Sequence, residues 1–303
     1  MEYLVGAGGW GYFNVKGKPS LKAYSQVFNF VEVNTTFYEY PNKNLVEIWR
    51  RSVPADFTFS VRCHQDLTHR IGLKPVDEAF EVFNKMKAYC NTLASPLLIL
   101  ETPASCALDE EGLTSAKGFF SSVDLGGLRL VWEYRAPIKL EVAEFMADFG
   151  IIRSVDLSIE PAIFGNDVIY SRLFGKGKHN RYQFTDNELL EIEQSAQASK
   201  AEKIILAYHG QRMYNDAARS RMHIATGKFL PVTNYLGVES AKAVLAEDAT
   251  FPSTKSSLIE DQGWKVIDLT ADKRVHISEV LALIPNRSYS SLDEVTRELK
   301  AIL

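Results

Sequence analysis

Cysteine is scarce in this chain: three in 303 residues, Cys63, Cys90 and Cys106, with no Cys-x-x-Cys pair. An odd, scattered set supplies neither a disulfide framework nor a cysteine-rich zinc site, so reduced and mostly packed thiols are expected. Long apolar runs are missing as well. The longest, around residues 97–100, is of strand length, whereas a bilayer-spanning helix needs roughly 20 residues; no membrane association is expected. Positive charge is not in excess. With 34 Lys and Arg against 38 Asp and Glu, the net charge of −4 excludes a polycation that coats nucleic acid, although not a local basic groove. The chain has no G-x-x-x-x-G-K-S/T, H-E-x-x-H or G-x-S-x-G pattern, which leaves P-loop, zincin and nucleophile-elbow chemistry without support. Internal repeats and low-complexity segments are absent too.

What is present is a regular alternation. The chain opens on a short apolar run, Tyr3, Leu4, Val5 and Ala7, closed by Gly8-Gly9, with Trp10 and Tyr12 on the loop beyond. A start directly on a core strand leaves no room for a signal or transit segment, so a cytoplasmic location is expected. Strands are predicted over 3–7, 30–34, 57–62, 97–101, 128–133, 154–157, 169–173 and 203–208, and helices over segments such as 45–52, 76–93, 140–149 and 187–199. Thr185 and Glu188 have capping-box spacing, each side chain able to satisfy an orphan backbone donor. Eight strands, nearly all followed by a helix, predict an α/β fold of the (β/α)8 TIM-barrel type. Past residue 247 the texture changes to a polar stretch, two short β-like runs about a charged turn, and an amphipathic last helix carrying Leu292, Val295, Leu299 and Ile302. The expected organisation is a barrel domain over 1–246 and a small C-terminal α/β extension over 247–303, docked on the barrel because it is small for independent stability.

In such a barrel the carboxyl ends of the strands converge on one mouth. Here those ends read Glu32 and Asn34, with Thr36, Phe37 and Tyr38 following; Arg62, then His64, Thr68 and His69; Glu101; Glu133 and Arg135; Asp156; Tyr170 and Arg172; Tyr208 and His209. Each alone could be a satisfied structural group. Together they imply a solvated cavity, because a charge shielded from water costs several kcal/mol unless paired. In VWEYR the period-2 geometry of a strand puts Glu133 and Arg135 on one face and Trp132 and Tyr134 on the other. Glu133 and Arg135 are therefore an internal ion pair or a grip on a polar substrate.

After strand seven comes RLFGKGKHNR, with Arg172, Lys176, Lys178 and Arg181 and no acid. Loops at this position of a barrel commonly hold phosphate, and Arg and Lys beside glycine amides suit a phosphate dianion. Divalent metal is compatible with the residue types at the mouth but not favoured, since no local pattern fixes two ligands on one element. No metal ligand is assigned and the cofactor stays unknown.

Several segments resemble the YecE-like family, domain-of-unknown-function family 72. GAGGWGY resembles its opening G-x-S-G-W-x-Y, FVEVNTTFYEYP its VEVNSTFY, FTFSVRCHQDLTH its F-x-F-x-V-K…I-T-H and VWEYR its A-x-E-F-R. The resemblance spans about residues 3–220 and falls on Gly9, Trp10, Glu32, Asn34, Thr36, Phe37, Tyr38, Thr68, His69, Glu133, Arg135 and Arg172. It implies a (β/α)8 barrel and no established reaction; comparison of that barrel with endonuclease-IV-like and sugar-isomerase-like barrels implies nucleic acid or sugar phosphate. The chain departs from the family pattern at Glu101-Thr102-Pro103-Ala104, where the family has Q-L-P-P. It departs again at Arg172-Leu173-Phe174-Gly175, which lacks a histidine, and at Tyr208-His209-Gly210, which replaces paired asparagines.

The resulting expectation is a barrel that binds or hydrolyses a phosphate-containing ligand, nucleic acid first. Glu133, His209, Arg135 and Glu32 are the candidates for chemistry. Trp10, Asn34, Thr36, Phe37, Tyr38, Arg62, His69, Arg172, Lys176, Lys178 and Arg181 are the candidates for ligand contact. The alternatives are a non-catalytic module that binds nucleic acid or protein, and a metal-dependent sugar isomerase or lyase.

Overall fold

The computed structural model describes residues 1–162 and 167–303. Eight parallel strands close into a barrel in chain order: β1 (Glu2–Ala7), β2 (Phe30–Val33), β3 (Thr58–Arg62), β4 (Leu97–Thr102), β5 (Arg129–Tyr134), β6 (Ile152–Val155), β7 (Val168–Leu173) and β8 (Lys203–Tyr208). The helices on the way are α1 (Ser20–Tyr24), α2 (Thr35–Tyr38), α3 (Lys43–Arg51), α4 (Asp77–Leu93), α5 (Glu110–Ser122), α6 (Leu140–Asp148), α7 (Asp186–Ala198) and α8 (Met213–Thr226). This is the (β/α)8 TIM barrel that the alternation of the sequence predicts. Among the described residues no helix is long and apolar enough to cross a membrane.

By contacts the chain forms two compact units, one of residues 1–172 and 196–208, the other of 173–195 and 209–303. In the first, every second residue of a strand faces inward. Leu4, Phe30, Leu97, Ile99, Val131, Ile152, Val168 and Ile205 make one buried cluster inside the ring. Trp132, of opposite parity, instead packs against Phe120 of α5 and Phe145 of α6, at ring distances of 5.9 and 6.2 Å. Each large apolar side chain buried in this way contributes about 1.5–3 kcal/mol.

The join between β1 and β2 is short, with Gly6 opposite Phe30 and Ala7 opposite Val31. Side chains complete it. The Asn29 amide donates to Tyr3 O and accepts from Val5 N, at 3.0 and 3.1 Å. The Tyr24 hydroxyl accepts from Ala7 N at 2.7 Å and donates to Phe30 O at 2.8 Å. A Cβ on Gly6 would overlap the Phe30 carbonyl and come within 2.6 Å of that hydroxyl, so only glycine fits. Residues 6–11 also spell G-x-G-x-x-G, but no helix follows before Ser20, so the anion-binding helix end of a dinucleotide fold is not formed.

The second unit adds α9 (Gly237–Leu245), β9 (Ser253–Thr254), α10 (Lys255–Gln262), β10 (Val266–Thr270), β11 (Lys273–His276), α11 (Ile277–Leu281), β12 (Ser288–Tyr289) and α12 (Leu292–Ile302). β10 and β11 form an antiparallel hairpin, and β9 pairs with β12. Its core joins Leu258, Ile267, Val275, Leu281, Val295 and Leu299 to Ala241, Val244 and Leu245 of α9. The change of texture at residue 247 therefore falls inside this core rather than ahead of it. The Thr185–Glu188 capping box forms, with Thr185 N donating to Glu188 at 3.0 Å and Glu188 N to the Thr185 hydroxyl at 3.4 Å, and Ser291 caps α12 by accepting from Glu294 N at 3.4 Å.

Candidate functional site

Along the inward rows of the first unit the apolar layers give way to charge at the carboxyl ends. β2 runs Phe30 then Glu32, β3 ends on Ser60 and Arg62, β4 runs Leu97, Ile99 and Glu101, β5 runs Val131 and Glu133, and β7 runs Val168, Tyr170 and Arg172. Arg172 is the hub. Its Nε and Nη2 take the two oxygens of Glu32 at 3.1 and 2.9 Å, and its Nη1 donates to Glu101 at 2.8 Å and to Glu133. Arg62 donates to the same Glu101 oxygen and, at 3.1 Å, to Asn34 Oδ1. Arg135 closes the far side, with Nε on Glu133 at 2.6 Å and Nη1 on Glu101 at 3.1 Å. Below, the Tyr170 hydroxyl donates to Glu32 at 2.9 Å and lies 2.7 Å from Ser60 Oγ. Three carboxylates and three guanidiniums thus balance, which is what lets so many charges be buried together.

The rim is built by the segments after β1, β2 and β3. Asn34 Nδ2 donates to Gly8 O at 2.7 Å, tying two of these loops. Thr36 is fully buried, its hydroxyl 2.6 Å from Arg62 O and 2.9 Å from Val33 O, so it holds backbone in place. Phe37 lies under the Arg62 guanidinium at 3.6 Å and meets Tyr38 and His69 edge-on at 4.9 and 5.2 Å. Tyr38 itself is 62% exposed, with its ring 5.9 Å from Arg62. His69 belongs to a π-helical turn, Asp66–Arg70, and its Nδ1 is 2.9 Å from the Thr68 hydroxyl. Trp10 stacks edge-on against Trp49 of α3 at 5.2 Å.

Burial would raise the Glu101 carboxyl, but Arg62 and Arg172 outweigh it and hold it below the ordinary carboxylate range. Burial also opposes charge on Arg172, and there Glu32 and Glu101 prevail and raise it. Arg62 is lowered by burial and then by the charge of Arg172. Burial lowers the His69 imidazole too; Glu101 pulls the other way, and Arg62 and Arg135 push it down further, so it is neutral at pH 7. Among the described residues no group of His, Cys, Asp and Glu is placed to hold a metal ion.

The model for the family described as "Protein of unknown function DUF72" matches residues 4–227. The chain belongs to the DUF72 family. The UPF0759 protein YunF of Bacillus subtilis is similar to it, 31% identical over 168 residues, which are 50% of this chain and 59% of that protein. The UPF0759 protein YecE of Escherichia coli K12 is 34% identical over 67 residues, 22% of this chain and 25% of that protein. The chain thus spans a quarter to about three-fifths of these curated relatives. A solved DUF72 family protein from Thermotoga maritima has the same fold, with a TM-score of 0.60 and 19% identity over 74% of this chain and 100% of that one. One from Enterococcus faecalis gives 0.58 and 14%, over 74% and 97%.

In this DUF72 barrel Glu32, Asn34, Arg62, Glu133, Arg135 and Arg172 come together, as strand order requires. Glu101, named in the sequence only as a strand end, proves to touch all three guanidiniums. Its signal is parity, since in LLILET it continues the inward row of Leu97 and Ile99. Arg172 is 2% exposed with its donors on three carboxylates, so it braces the mouth and does not present itself to a ligand as the sequence suggests. Glu32, 0% exposed, is a brace likewise. His209 stacks on Phe174 at 4.8 Å.

The cationic loop is less open than its own letters imply. Lys176 sits 3.2 Å from Glu188, which also takes the Tyr182 hydroxyl, and Arg181 lies 3.9 Å from Asp261. Lys178 is exposed and has no ion-pair partner among the described residues.

Proposed function

We propose that the mouth of this DUF72 barrel binds a phosphate-bearing ligand, a segment of single-stranded nucleic acid, with a base on Tyr38 and a phosphate on Arg135. The observation that carries the reading is the way the ionic network ends. Arg135 is 42% exposed while Glu133 and Glu101 fix its guanidinium, so a fork of donors is held in place facing water. Tyr38 offers a bare ring on the same rim, and base–aromatic stacking contributes about 1–3 kcal/mol per base. Hydrolysis of a phosphoester is the second reading. It is favoured by His69, an exposed imidazole held neutral beside Arg62 and Arg135 and so able to accept a proton.

The test is binding of a fluorescent single-stranded oligonucleotide at low and moderate salt. Arg135→Ala and Tyr38→Ala should each weaken it about tenfold or more, and salt should weaken the parent steeply through counterion release. A parent that binds no oligonucleotide, or two variants that bind like the parent, would exclude the reading. Strand cleavage followed in the same samples, and lost in His69→Gln, separates enzyme from binding module.

A further inference from the structure

Resting on that reading, we infer that the mouth selects ribose over deoxyribose, with Glu133 as the acceptor for the sugar 2′-hydroxyl. Of the three carboxylates in the network, Glu32 and Glu101 are 0% and 2% exposed and closed over by arginines, while Glu133 keeps 16% of its side chain in contact with solvent. It is therefore the carboxylate of this network that a ligand can touch. Glu133 Oε1 accepts from Arg135 Nε at 2.6 Å and Oε2 accepts from Arg172 Nη1, so both oxygens are pinned. Each carboxylate oxygen has two acceptor sites, and one on each remains for a further donor.

An ionised carboxylate only accepts, so a ligand group seated against it must donate. Phosphate oxygens and base carbonyls are excluded there, and a phosphate belongs instead on Arg135, directly beside. The donor adjoining a phosphodiester in a nucleic-acid strand is the 2′-hydroxyl, the group by which a protein tells RNA from DNA. The alternation of one exposed guanidinium and one partly exposed carboxylate thus matches the alternation of phosphate and ribose hydroxyl.

The size of the preference follows from the same geometry. Without the 2′-hydroxyl, Glu133 remains paired with two guanidiniums, so a deoxy strand forfeits one charge-assisted hydrogen bond and leaves no unmatched buried charge. That corresponds to about tenfold in affinity rather than the far larger rejection of a site left unpaired.

The experiment compares one mixed sequence as single-stranded RNA, DNA and 2′-fluoro RNA by fluorescence anisotropy on the full chain. The fluoro strand keeps the RNA-like sugar pucker and lacks the donor. RNA should bind about tenfold more tightly than both others, and Glu133→Gln should narrow the gap. Because that variant also loosens Arg135 and Arg172, the deciding measurement is the three ligands on the unmodified chain. Equal binding of RNA and 2′-fluoro RNA overturns the inference, since pucker or a base donor then explains any preference over DNA. Equal binding of RNA and DNA also overturns it and leaves nucleic-acid binding at the mouth standing. Binding of none of the three removes both.

Discussion

Each compact unit holds an ionic cluster, and the two use similar parts to different ends. In the first unit Glu32, Glu101 and Glu133 face Arg62, Arg135 and Arg172, three against three, and the last link, Arg135, opens to water. In the second, Asp216 and Asp186 hold Arg219 at 3.2 and 2.6 Å, Asp186 passes to Arg274 at 2.7 Å, and Arg274 to Asp268 at 2.7 Å. There every end is on backbone: Asp268 takes the amides of Val232 and Thr233, and Arg219 donates to Phe184 O. That cluster is a strut, with Arg219 and Asp268 wholly buried. A concentration of charge becomes a candidate site only where its chain of partners ends in solvent, and a buried count alone does not separate the two cases.

The strongest way to break this contrast is to remove one arginine from each cluster. Arg219→Met leaves the buried Asp216 without its cation, and Asp186 with Arg274 alone, and should cost about 3–5 kcal/mol in urea unfolding, as Arg172→Met should in the mouth. Arg135→Ala, at the open end, should cost less than about 1 kcal/mol. A loss in Arg135→Ala equal to that in Arg219→Met would erase the distinction between strut and open end.

Acidity sharpens it further. The strut has three carboxylates for two guanidiniums, and Asp216 answers the excess: burial pushes its carboxyl up to about 7 from 3.8, against the pull of Arg219. A folded pKa above the unfolded one means that the native state holds the extra proton, so stability falls as pH rises from about 4 to about 7 and is level beyond. The span is about 4 kcal/mol at most. Glu101, whose pKa is lowered, has the opposite sign: its contribution is present above the ordinary carboxylate range and is lost as pH falls through its folded value. Thermal unfolding across this range should show Asp216→Asn without the downward slope. A variant that keeps the slope would place the proton elsewhere.

The smallest expected effect belongs to the cationic loop. Replacing Lys176, Lys178 and Arg181 together by Ala should change stability by less than about 0.5 kcal/mol, because such exposed charges contribute little. Lys176 and Arg181 face acids across partly exposed ion pairs, so urea unfolding of the triple variant should match the parent within that margin. A larger loss would mean that these ion pairs hold the loop in place.

How much of this was legible in the letters depends on range. The eight strands were, because β-rich runs between helical patterns mark them locally, and parity alone put Glu133 with Arg135. The strand order of a closed ring then brought Glu32, Arg62 and Arg172 to the same end. Partnership was not legible. Nothing near Arg172 in the chain says that it will meet Glu32, Glu101 and Glu133, and so a phosphate ligand looked natural for it. The loop after β7 has no acid of its own, while its acids, Glu188 and Asp261, arrive from α7 and α10. Likewise nothing in the letters of residues 237–245 sets them apart from the barrel, although Ala241, Val244 and Leu245 of α9 lie inside the second core.

The join of β1 to β2 has a consequence for how this barrel can vary. Elsewhere a ring of strands is closed by main-chain groups that every residue possesses, so the closure is indifferent to sequence. At this join the Asn29 amide and the Tyr24 hydroxyl stand in for peptide groups, and the missing side chain of Gly6 makes room for the second. Three residue identities are thus needed to shut the ring, and none of them is a member of the charged network. A lineage free to rework every loop at the charged end would still be held to an asparagine, a tyrosine and a glycine here, for reasons of closure and not of chemistry.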